Sequence, residues 1–265
     1  NLPTESSLLI VIAILFSYQL YCDFSGYSDI AIGSAKMLGY NLSPNFNRPF
    51  AARSLADFWR RWHISLSSWL KDYLYYPLVL GFGKKTKIKV YMSLFVTFML
   101  IGLWHGANWT FVIFGALHGI YLVLELMTEK IRQSATKVLG NTLQHFLETG
   151  VIFSFVSISF IFFRSETVTQ AWWFVSHMFS APSIEFITNG LLRTLTSHVG
   201  TVIFAVVIMA CILMEVVQYY QSKKDTLFIF DTFPKTVRYG WYYLLTSMIL
   251  LFGYFGGESF IYFQF

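Results

Sequence analysis

Long apolar runs, separated by short polar stretches, dominate the hydrophobic pattern of this chain. Six runs can be marked, at about residues 8–22, 90–104, 109–127, 150–163, 201–219 and 240–255. Several are shorter than the ~20 residues that a perpendicular membrane-spanning helix needs, so we expect aromatic interfacial ends or re-entrant segments. The pattern predicts an all-α fold, a multispan transmembrane helical bundle with re-entrant and interfacial helices.

The stretch from residue 23 to residue 50 is polar and Gly-rich, and Pro44 and Pro49 interrupt it. We predict a short helix at about 29–38 inside a membrane-surface or re-entrant stretch. Irregular backbone persists at membrane depth only where protein or water satisfies its polar groups, so this stretch is expected to line a cavity.

An amphipathic segment follows, from Ser54 to about Tyr75. Ser54 has the position of an N-cap, and Asp57 stands three residues later as in a capping box. Apolar residues recur at spacings of three and four and form one stripe: Leu55, Trp59, Trp62, Leu66, Trp69 and Tyr73. The pattern predicts a single helix that lies flat at the cytoplasmic interface, its basic face toward lipid headgroups.

The basic residues are concentrated in one connection. Hydrophobic residues make up 55% of the 265 positions and charged residues only 12%, which is the composition of a membrane protein. Nine of the 19 Lys and Arg lie between residues 48 and 89, against two acidic residues, and the positive-inside rule places this connection in the cytoplasm. The net charge of +5 therefore indicates membrane lipid, and no nucleic acid, as a partner.

The histidine with the strongest functional context is His105, which lies between Trp104 and Gly106 where two apolar runs meet. A span that starts at Lys89 and rises about 1.5 Å per residue carries His105 roughly 24 Å, deep into or across the hydrocarbon. A titratable imidazole at that depth is functional by default and can serve as a general base near neutral pH. The alternative is a histidine that only forms a hydrogen bond between helices.

His118 follows thirteen residues after His105, which puts the two side chains about 220° apart on one continuous helix. Either a break at residues 106–108 reorients the chain or His118 packs in the core, and the second interpretation is favoured. No His-x₃-His or Cys-x₂-Cys spacing occurs, so no metal site is predicted. No Gly-x-Ser-x-Gly elbow indicates a serine hydrolase.

Several motifs, in one order along the chain, carry a resemblance to a known family. They are Asp23-Phe24-Ser25-Gly26-Tyr27-Ser28-Asp29, Asn45-Phe46-Asn47-Arg48-Pro49, Phe58-Trp59-Arg60-Arg61-Trp62-His63, Trp69-Leu70-Lys71-Asp72-Tyr73-Leu74-Tyr75, Trp104-His105-Gly106-Ala107-Asn108-Trp109 and Phe260-Ile261-Tyr262-Phe263-Gln264-Phe265. Together they resemble the membrane-bound O-acyltransferase family, specifically its bacterial alginate and peptidoglycan O-acetyltransferases. Members are about twice this length, so residues 1–265 are expected to be the C-terminal half of such a domain, with a motif core at 21–119 and a helical remainder at 120–265.

The resemblance implies a central tunnel, with His105 as the active-site histidine, His63 as the polar position that faces it, and His118 as a further recurrent histidine. Supporting positions are expected at Asn108, Trp62, Trp104 and Asp72. Arg60 and Arg61 are the candidates for contact with the acyl donor. They also favour the polysaccharide branch over the D-alanyl transferases of teichoic acids, which share Trp-His-Gly.

The implied function is an enzyme of the bacterial cytoplasmic membrane that passes an acetyl group from a cytoplasmic thioester, acetyl-CoA, across the bilayer. His105 is expected to be the general base, and His63 to orient the thioester or stabilise the oxyanion. The acceptor is a polysaccharide hydroxyl, or a serine of an extracytoplasmic acetyltransferase or hydrolase-like partner protein. Acetyl-CoA is a co-substrate, and no bound cofactor is expected.

Two alternatives remain at this point. One is D-alanyl transfer to teichoic acid. The other is a non-catalytic channel or transporter in which the histidines relay protons, since intramembrane histidines also mark such pathways. A transporter is expected to show inverted repeats, and none is evident in the sequence.

Overall fold

A computed structural model of the chain describes residues 6–81, 84, 86–132, 134, 140–180, 200–224 and 233–253. The helices are α1 (Ser6–Met37), α2 (Leu55–Arg61), α3 (Ile64–Leu70), α4 (Tyr76–Leu80), α5 (Lys87–His105), α6 (Trp109–Met127), α7 (Asn141–Arg164), α8 (Val168–Met178), α9 (Thr201–Lys224) and α10 (Lys235–Phe252). A 3₁₀ turn at Pro49–Ala51 and a π-helical turn at Lys71–Tyr75 join them. The described part of the chain contains no strand, so the all-α prediction is confirmed.

Five of these helices are long and apolar enough to cross a membrane: α1, α5, α6, α7 and Thr201–Lys223 of α9. They correspond to the first five apolar runs, which confirms a multispan bundle. Helix α10 is not among them within the described residues. Its 18 residues include Lys235, Arg238 and three tyrosines, which lower its hydropathy below that of the other five helices. The predicted closing motif at 260–265 lies outside the described residues.

The chain divides into two compact units, residues 1–201 and residues 202–264. Helices α1–α8 belong to the first unit. Most of α9 and all of α10 belong to the second, and their described side chains are largely exposed. All the candidate site residues that the structure describes lie in the first unit.

Helix α1 continues without a break through the polar stretch after residue 22. The prediction of a separate short helix at 29–38 is therefore wrong. Its serines remain compatible with the helix because Ser17 and Ser28 donate hydrogen bonds to the carbonyl oxygens four residues earlier, on Ala13 and Phe24. Irregular backbone begins only after residue 37 and extends to the 3₁₀ turn.

The helix that begins after Ser54 ends much sooner than its apolar stripe predicts. Ser54 is the N-cap, accepting a hydrogen bond from Asp57 N at 3.0 Å as predicted. The predicted single helix to Tyr75 is wrong, because Trp62 is extended and His63 adopts a left-handed conformation with φ 46° and ψ 54°. A distant segment satisfies the backbone groups that this break exposes. Asn47 N donates to the carbonyl of Arg61, and Ile64 N donates to the carbonyl of Asn45.

Helix α2 runs beside α6 in the opposite direction instead of lying flat at an interface. At its start, Leu55 N donates to the Glu125 carboxylate at 2.7 Å, and one turn later Trp59 Nε1 donates to His118 Nδ1 at 3.1 Å. Glu125 and His118 are seven residues apart on α6, which is about 10 Å along its axis. The flat orientation predicted from the sequence is thus wrong for α2. Its aromatic stripe is buried among the spanning helices, which removes more apolar surface from water than an interfacial position does.

Helices α5 and α6 form a hairpin whose backbones touch. A Cβ added at Gly102 would lie 2.2 Å from the carbonyl oxygen of Phe111, and one added at Gly115 would lie 2.2 Å from that of Phe98. Gly115 and Gly119 form a small-xxx-small pair of the kind that allows close helix packing in membranes. This contact positions the end of α5, and with it His105, against the start of α6.

Candidate active site

His105 is the last residue of α5, at the interruption that the sequence predicts. Gly106 closes the helix end, and α6 begins three residues later, at Trp109. Asn108 is the N-cap of α6: its Oδ1 accepts from Thr110 N at 3.1 Å, while its Nδ2 donates to the carbonyl of Glu166 at 2.9 Å. Asn108 therefore joins the α5–α6 break to the loop after α7.

Aromatic rings surround the half-buried imidazole of His105. The centroids of Trp104 and Phe163 are each 5.0 Å from it, and Phe114 and Phe111 are at 6.2 and 6.3 Å. Apolar rings on several sides limit the access of water to the imidazole.

His63 occupies the bend between α2 and α3. Non-glycine residues seldom adopt its left-handed backbone, and such strain is concentrated at functional positions. Asn45 Oδ1 accepts hydrogen bonds from Ser65 N at 3.1 Å and from the Ser65 hydroxyl at 3.0 Å, so it is the amide oxygen that faces His63 Nδ1 at 3.3 Å. Nδ1 therefore carries the proton, and Nε2 presents a lone pair. Burial lowers the pKa of His63 to about 4, so its ring is neutral at physiological pH.

Trp104 brings the two predicted histidines together. Its ring centroid lies 6.3 Å from that of His63 and 5.0 Å from that of His105. The α1 residue Phe24 completes the surroundings of His63, at 4.7 Å. Trp104 is 59% exposed, so the space beside the two imidazoles is open rather than filled by packed core.

His118 lies in the core and not beside this open space. Its side chain is fully buried, and both ring nitrogens are engaged. Trp59 donates to Nδ1, so the proton is on Nε2, which donates to the Ser159 hydroxyl at 2.9 Å. Ser159 in turn donates to the carbonyl of Val156 at 2.7 Å. The chain of hydrogen bonds links α2, α6 and α7.

The other predicted positions are distributed around α2 and beyond it. Trp62 is buried and stacks on Phe58 at 5.5 Å, so it anchors the end of α2. Arg60 and Arg61 both pair with Asp57, at 3.1 and 2.9 Å. Asp72 lies exposed on the π-helical turn, and its carboxylate makes no ion pair with the described part of the chain.

A mainly apolar cavity of ≈ 460 Å³ follows α2 and α3 on the side of α5. It extends from the level of Glu125 to Ile101, which precedes His105 by one helical turn, and to Ile64, which follows His63. Arg60 and Lys71 also line it. Hydrophobic periodicity carries no signal for this cavity, because its walls come from separate elements.

Glu125 is a further candidate functional residue, which the sequence motifs did not single out. Its side chain is 8% exposed, caps α2 through Leu55 N and faces Arg132 at 3.7 Å. Its position within the apolar run at 109–127 is the sequence feature that could have identified it, because an acidic side chain inside a membrane-spanning helix is costly. No group of three or more His, Cys, Asp or Glu with metal-ligand geometry occurs among the residues that the structure describes.

Known proteins match the part of the chain that carries this site. The sequence profile of the membrane-bound O-acyltransferase family matches residues 4–163. The chain is 40% identical over 214 residues to a "Probable alginate O-acetylase" of Pseudomonas aeruginosa, covering 81% of this chain and 39% of that protein. It is 42% identical over 156 residues to the peptidoglycan O-acetyltransferase of Helicobacter pylori, covering 59% and 28%.

A third relative is the teichoic acid D-alanyltransferase of Bacillus subtilis. The identity is 33% over 175 residues, covering 63% of this chain and 44% of that protein. The chain therefore spans less than half the length of each of these three relatives.

Proposed function

Because this chain belongs to the membrane-bound O-acyltransferase family, we propose that it carries the catalytic histidines of a membrane O-acetyltransferase. The donor is a cytoplasmic thioester, acetyl-CoA. The acceptor is a hydroxyl group on the opposite side of the bacterial cytoplasmic membrane. The proposal rests on the convergence of His63 and His105 on the ring of Trp104, since motifs far apart in sequence supply the two imidazoles.

His105 acts as the general base. The acceptor hydroxyl oxygen attacks the thioester carbonyl carbon while its proton passes to His105. The carbon–sulfur bond then breaks, and the departing thiolate takes the proton from the imidazolium. An O-acetyl ester and free CoA thiol are formed, and His105 returns to its neutral state.

His63 orients a reactant through its second ring nitrogen. With Nδ1–H directed to Asn45, Nε2 accepts a hydrogen bond, for example from the acceptor hydroxyl or from an amide N–H of the thioester arm. Stabilising an oxyanion requires a donor at Nε2, which this tautomer lacks. Of the two roles predicted for His63, the hydrogen-bond geometry therefore supports orientation.

The apolar cavity beside α2 supports a route for the thioester arm. It begins near the basic end of the bundle, where Arg60 and Lys71 provide positive charge for phosphate groups, and it approaches the histidine pair at Ile64 and Ile101. Lys87, at the start of α5, belongs to the connection that the positive-inside rule assigns to the cytoplasm. The acetyl group then leaves at the far end of α5.

The names of the relatives guide the choice of acceptor. One is named a probable alginate O-acetylase and another a peptidoglycan O-acetyltransferase, so we propose a polysaccharide hydroxyl as the final acceptor. An extracytoplasmic, hydrolase-like partner protein with a serine nucleophile can receive the acetyl group first.

The test uses the intact protein in inverted membrane vesicles supplied with labelled acetyl-CoA. We expect His105→Ala to lower CoA release and acetyl transfer by about 10²- to 10⁴-fold, the usual contribution of a general base. The matched control is His177→Ala, because His177 stacks on Trp173 in α8 and lies outside the histidine pair. Equal amounts of both variants in the membrane establish that folding is unaffected.

Two results contradict the proposal. Near-normal acetylation by His105→Ala removes the assignment of the base. Absence of CoA release by the wild-type protein, with D-alanyl transfer or ion flux in its place, removes the acetyltransferase itself.

A further inference from the structure

A polar cavity of ≈ 350 Å³ lies at the beginning of α2, away from the histidine pair. Four arginines line it: Arg53, Arg60, Arg61 and Arg132. The acidic residues in its wall are Asp57 and Glu148. Cations therefore outnumber anions in this cavity, which we call the arginine pocket.

The local ion pairs leave part of this excess in place, since Arg132 faces the Glu125 carboxylate at 3.7 Å. Arg60 and Arg61 share the single carboxylate of Asp57. Arg53 contacts the ring of His145 and makes no ion pair with a carboxylate in the described residues. The geometry suits a bound anion with several oxygen atoms, such as a phosphate group.

An apolar groove of ≈ 380 Å³ continues from the arginine pocket along α6 and α7. The two share Arg53, Arg132, Gln144 and Glu148 as lining residues. The groove is otherwise walled largely by aliphatic side chains, including Leu124, Leu147 and Val151, each of which is exposed. Both α6 and α7 are long and apolar enough to cross a membrane, so a lipid chain is a suitable occupant of this groove.

Gln144 adds a specific polar contact at the junction of pocket and groove. Its side chain is 7% exposed, and its Nε2 donates to Glu148 Oε1 at 2.6 Å and to the carbonyl of Arg132 at 3.3 Å. Its Oε1 is a buried acceptor without a hydrogen-bond donor among the described residues. A buried acceptor of this kind is costly unless a donor reaches it, and a ligand hydroxyl is such a donor.

We propose that the arginine pocket and the groove together bind one anionic phospholipid with a hydroxyl-bearing head group. The phosphate binds the guanidinium groups of Arg53 and Arg132, and a head-group hydroxyl donates to Gln144 Oε1. An acyl chain follows the groove past Leu147 and Val151. Basic pockets between spanning helices on the cytoplasmic side are typical sites for anionic head groups. The groove distinguishes a lipid from a free phosphate, which needs no apolar wall.

The test measures lipid binding by the intact protein in an uncharged detergent. The probes are phosphatidylglycerol, phosphatidylcholine and inorganic phosphate, and native mass spectrometry counts the retained lipid. We expect one phosphatidylglycerol to be retained in preference to phosphatidylcholine. Arg53→Gln is expected to weaken its binding about tenfold, or ~1.4 kcal/mol. Val151→Trp, which fills the groove, is expected to weaken it similarly.

Arg164→Gln is the matched control, since Arg164 is an exposed arginine at the other end of α7. Its phosphatidylglycerol affinity is expected to equal that of the wild type. Equal retention of the two lipids by the wild-type protein overturns the proposal without requiring any variant to fold. Complete competition by inorganic phosphate, together with unchanged binding by Val151→Trp, overturns the lipid and leaves only an anion site.

Discussion

The indole nitrogen of Trp59 donates a hydrogen bond to Nδ1 of His118, 3.1 Å away. This bond fixes the proton of His118 on Nε2 and joins α2 to the middle of α6. Because α2 ends in the bend at His63, we expect this bond to influence how far His63 reaches toward His105. We therefore expect His118 to act as a positioning residue, although it does not share the open space beside the histidine pair.

Trp59→Phe keeps an aromatic ring and removes the donor. His118 Nδ1 is then a buried acceptor without a partner, so we expect about 1–3 kcal/mol of destabilisation. We also expect kcat to fall more than KM changes, because His63 shifts relative to His105. Trp69→Phe is the control, since Trp69 is 57% exposed. A thermal shift with unchanged kcat would reduce the Trp59–His118 bond to a purely structural role.

His63→Gln tests the second histidine directly. Glutamine retains polar atoms but not the ring nitrogen that accepts a proton or hydrogen bond opposite Asn45. We expect kcat/KM for acetyl transfer to fall by about 10- to 10³-fold, the range for the loss of one positioned polar group. The measurement is steady-state kinetics in vesicles, with His177→Gln beside it. Wild-type kinetics for His63→Gln would assign the ring to packing alone.

Gly115→Ala tests the contact between α5 and α6. The added Cβ would meet the carbonyl oxygen of Phe98 at 2.2 Å, so the helices must separate, at a cost of about 1–3 kcal/mol. Gly26→Ala is the matched control, because nothing lies within 4 Å of a Cβ at that helical position. We expect Gly115→Ala to lower Tm and acetyl transfer, and Gly26→Ala to do neither. Equal Tm values for the two variants would show that the helices tolerate separation.

Topology can be checked at the two ends of the bundle. Lys84 precedes α5, whereas Glu166 follows α7 beside Asn108, and both residues are exposed. After Cys22 and Cys211 are replaced by serine, we expect Lys84→Cys to resist an impermeant thiol reagent in intact cells and Glu166→Cys to react. Inverted vesicles are expected to reverse the pattern. Rapid labelling of Lys84→Cys from outside would show that the protein has the opposite orientation, and that the acetyl group moves in the opposite direction.

The burial of His63 predicts a pH effect on stability. Its pKa is lowered from 6.5 to about 4, so the unfolded chain takes up a proton below pH 6.5 while the folded protein does not. Stability from neutral His63 is therefore full above pH 6.5 and is lost as the pH falls toward 4, by at most about 1.4 kcal/mol per pH unit. We expect the Tm of His63→Gln to gain on that of the wild type over this interval. Parallel Tm curves would mean that His63 takes up a proton as readily in the folded protein as in the unfolded chain.

Local features of the sequence were sufficient to predict most of the helices of this protein. A helix satisfies its own backbone hydrogen bonds, so an apolar run of membrane length specifies a spanning helix without reference to the rest of the chain. The Ser54 cap and the interruption after His105 are also local, and the structure agrees with both. The sequence motifs, including those around the two histidines, were sufficient to identify the family, and the family match over residues 4–163 confirms that identification.

Contacts between distant segments decided the rest. The apolar stripe from Leu55 to Tyr73 continues past His63 in the sequence, but the helix breaks at His63, where the segment at 45–47 satisfies the exposed backbone groups. The depth of α2 depends on Glu125 and His118, which lie more than fifty residues away. Helical periodicity records only which residues share a face within a few turns. It is therefore the tertiary structure that brings His63 and His105 to one tryptophan and places the arginine pocket beside an apolar groove.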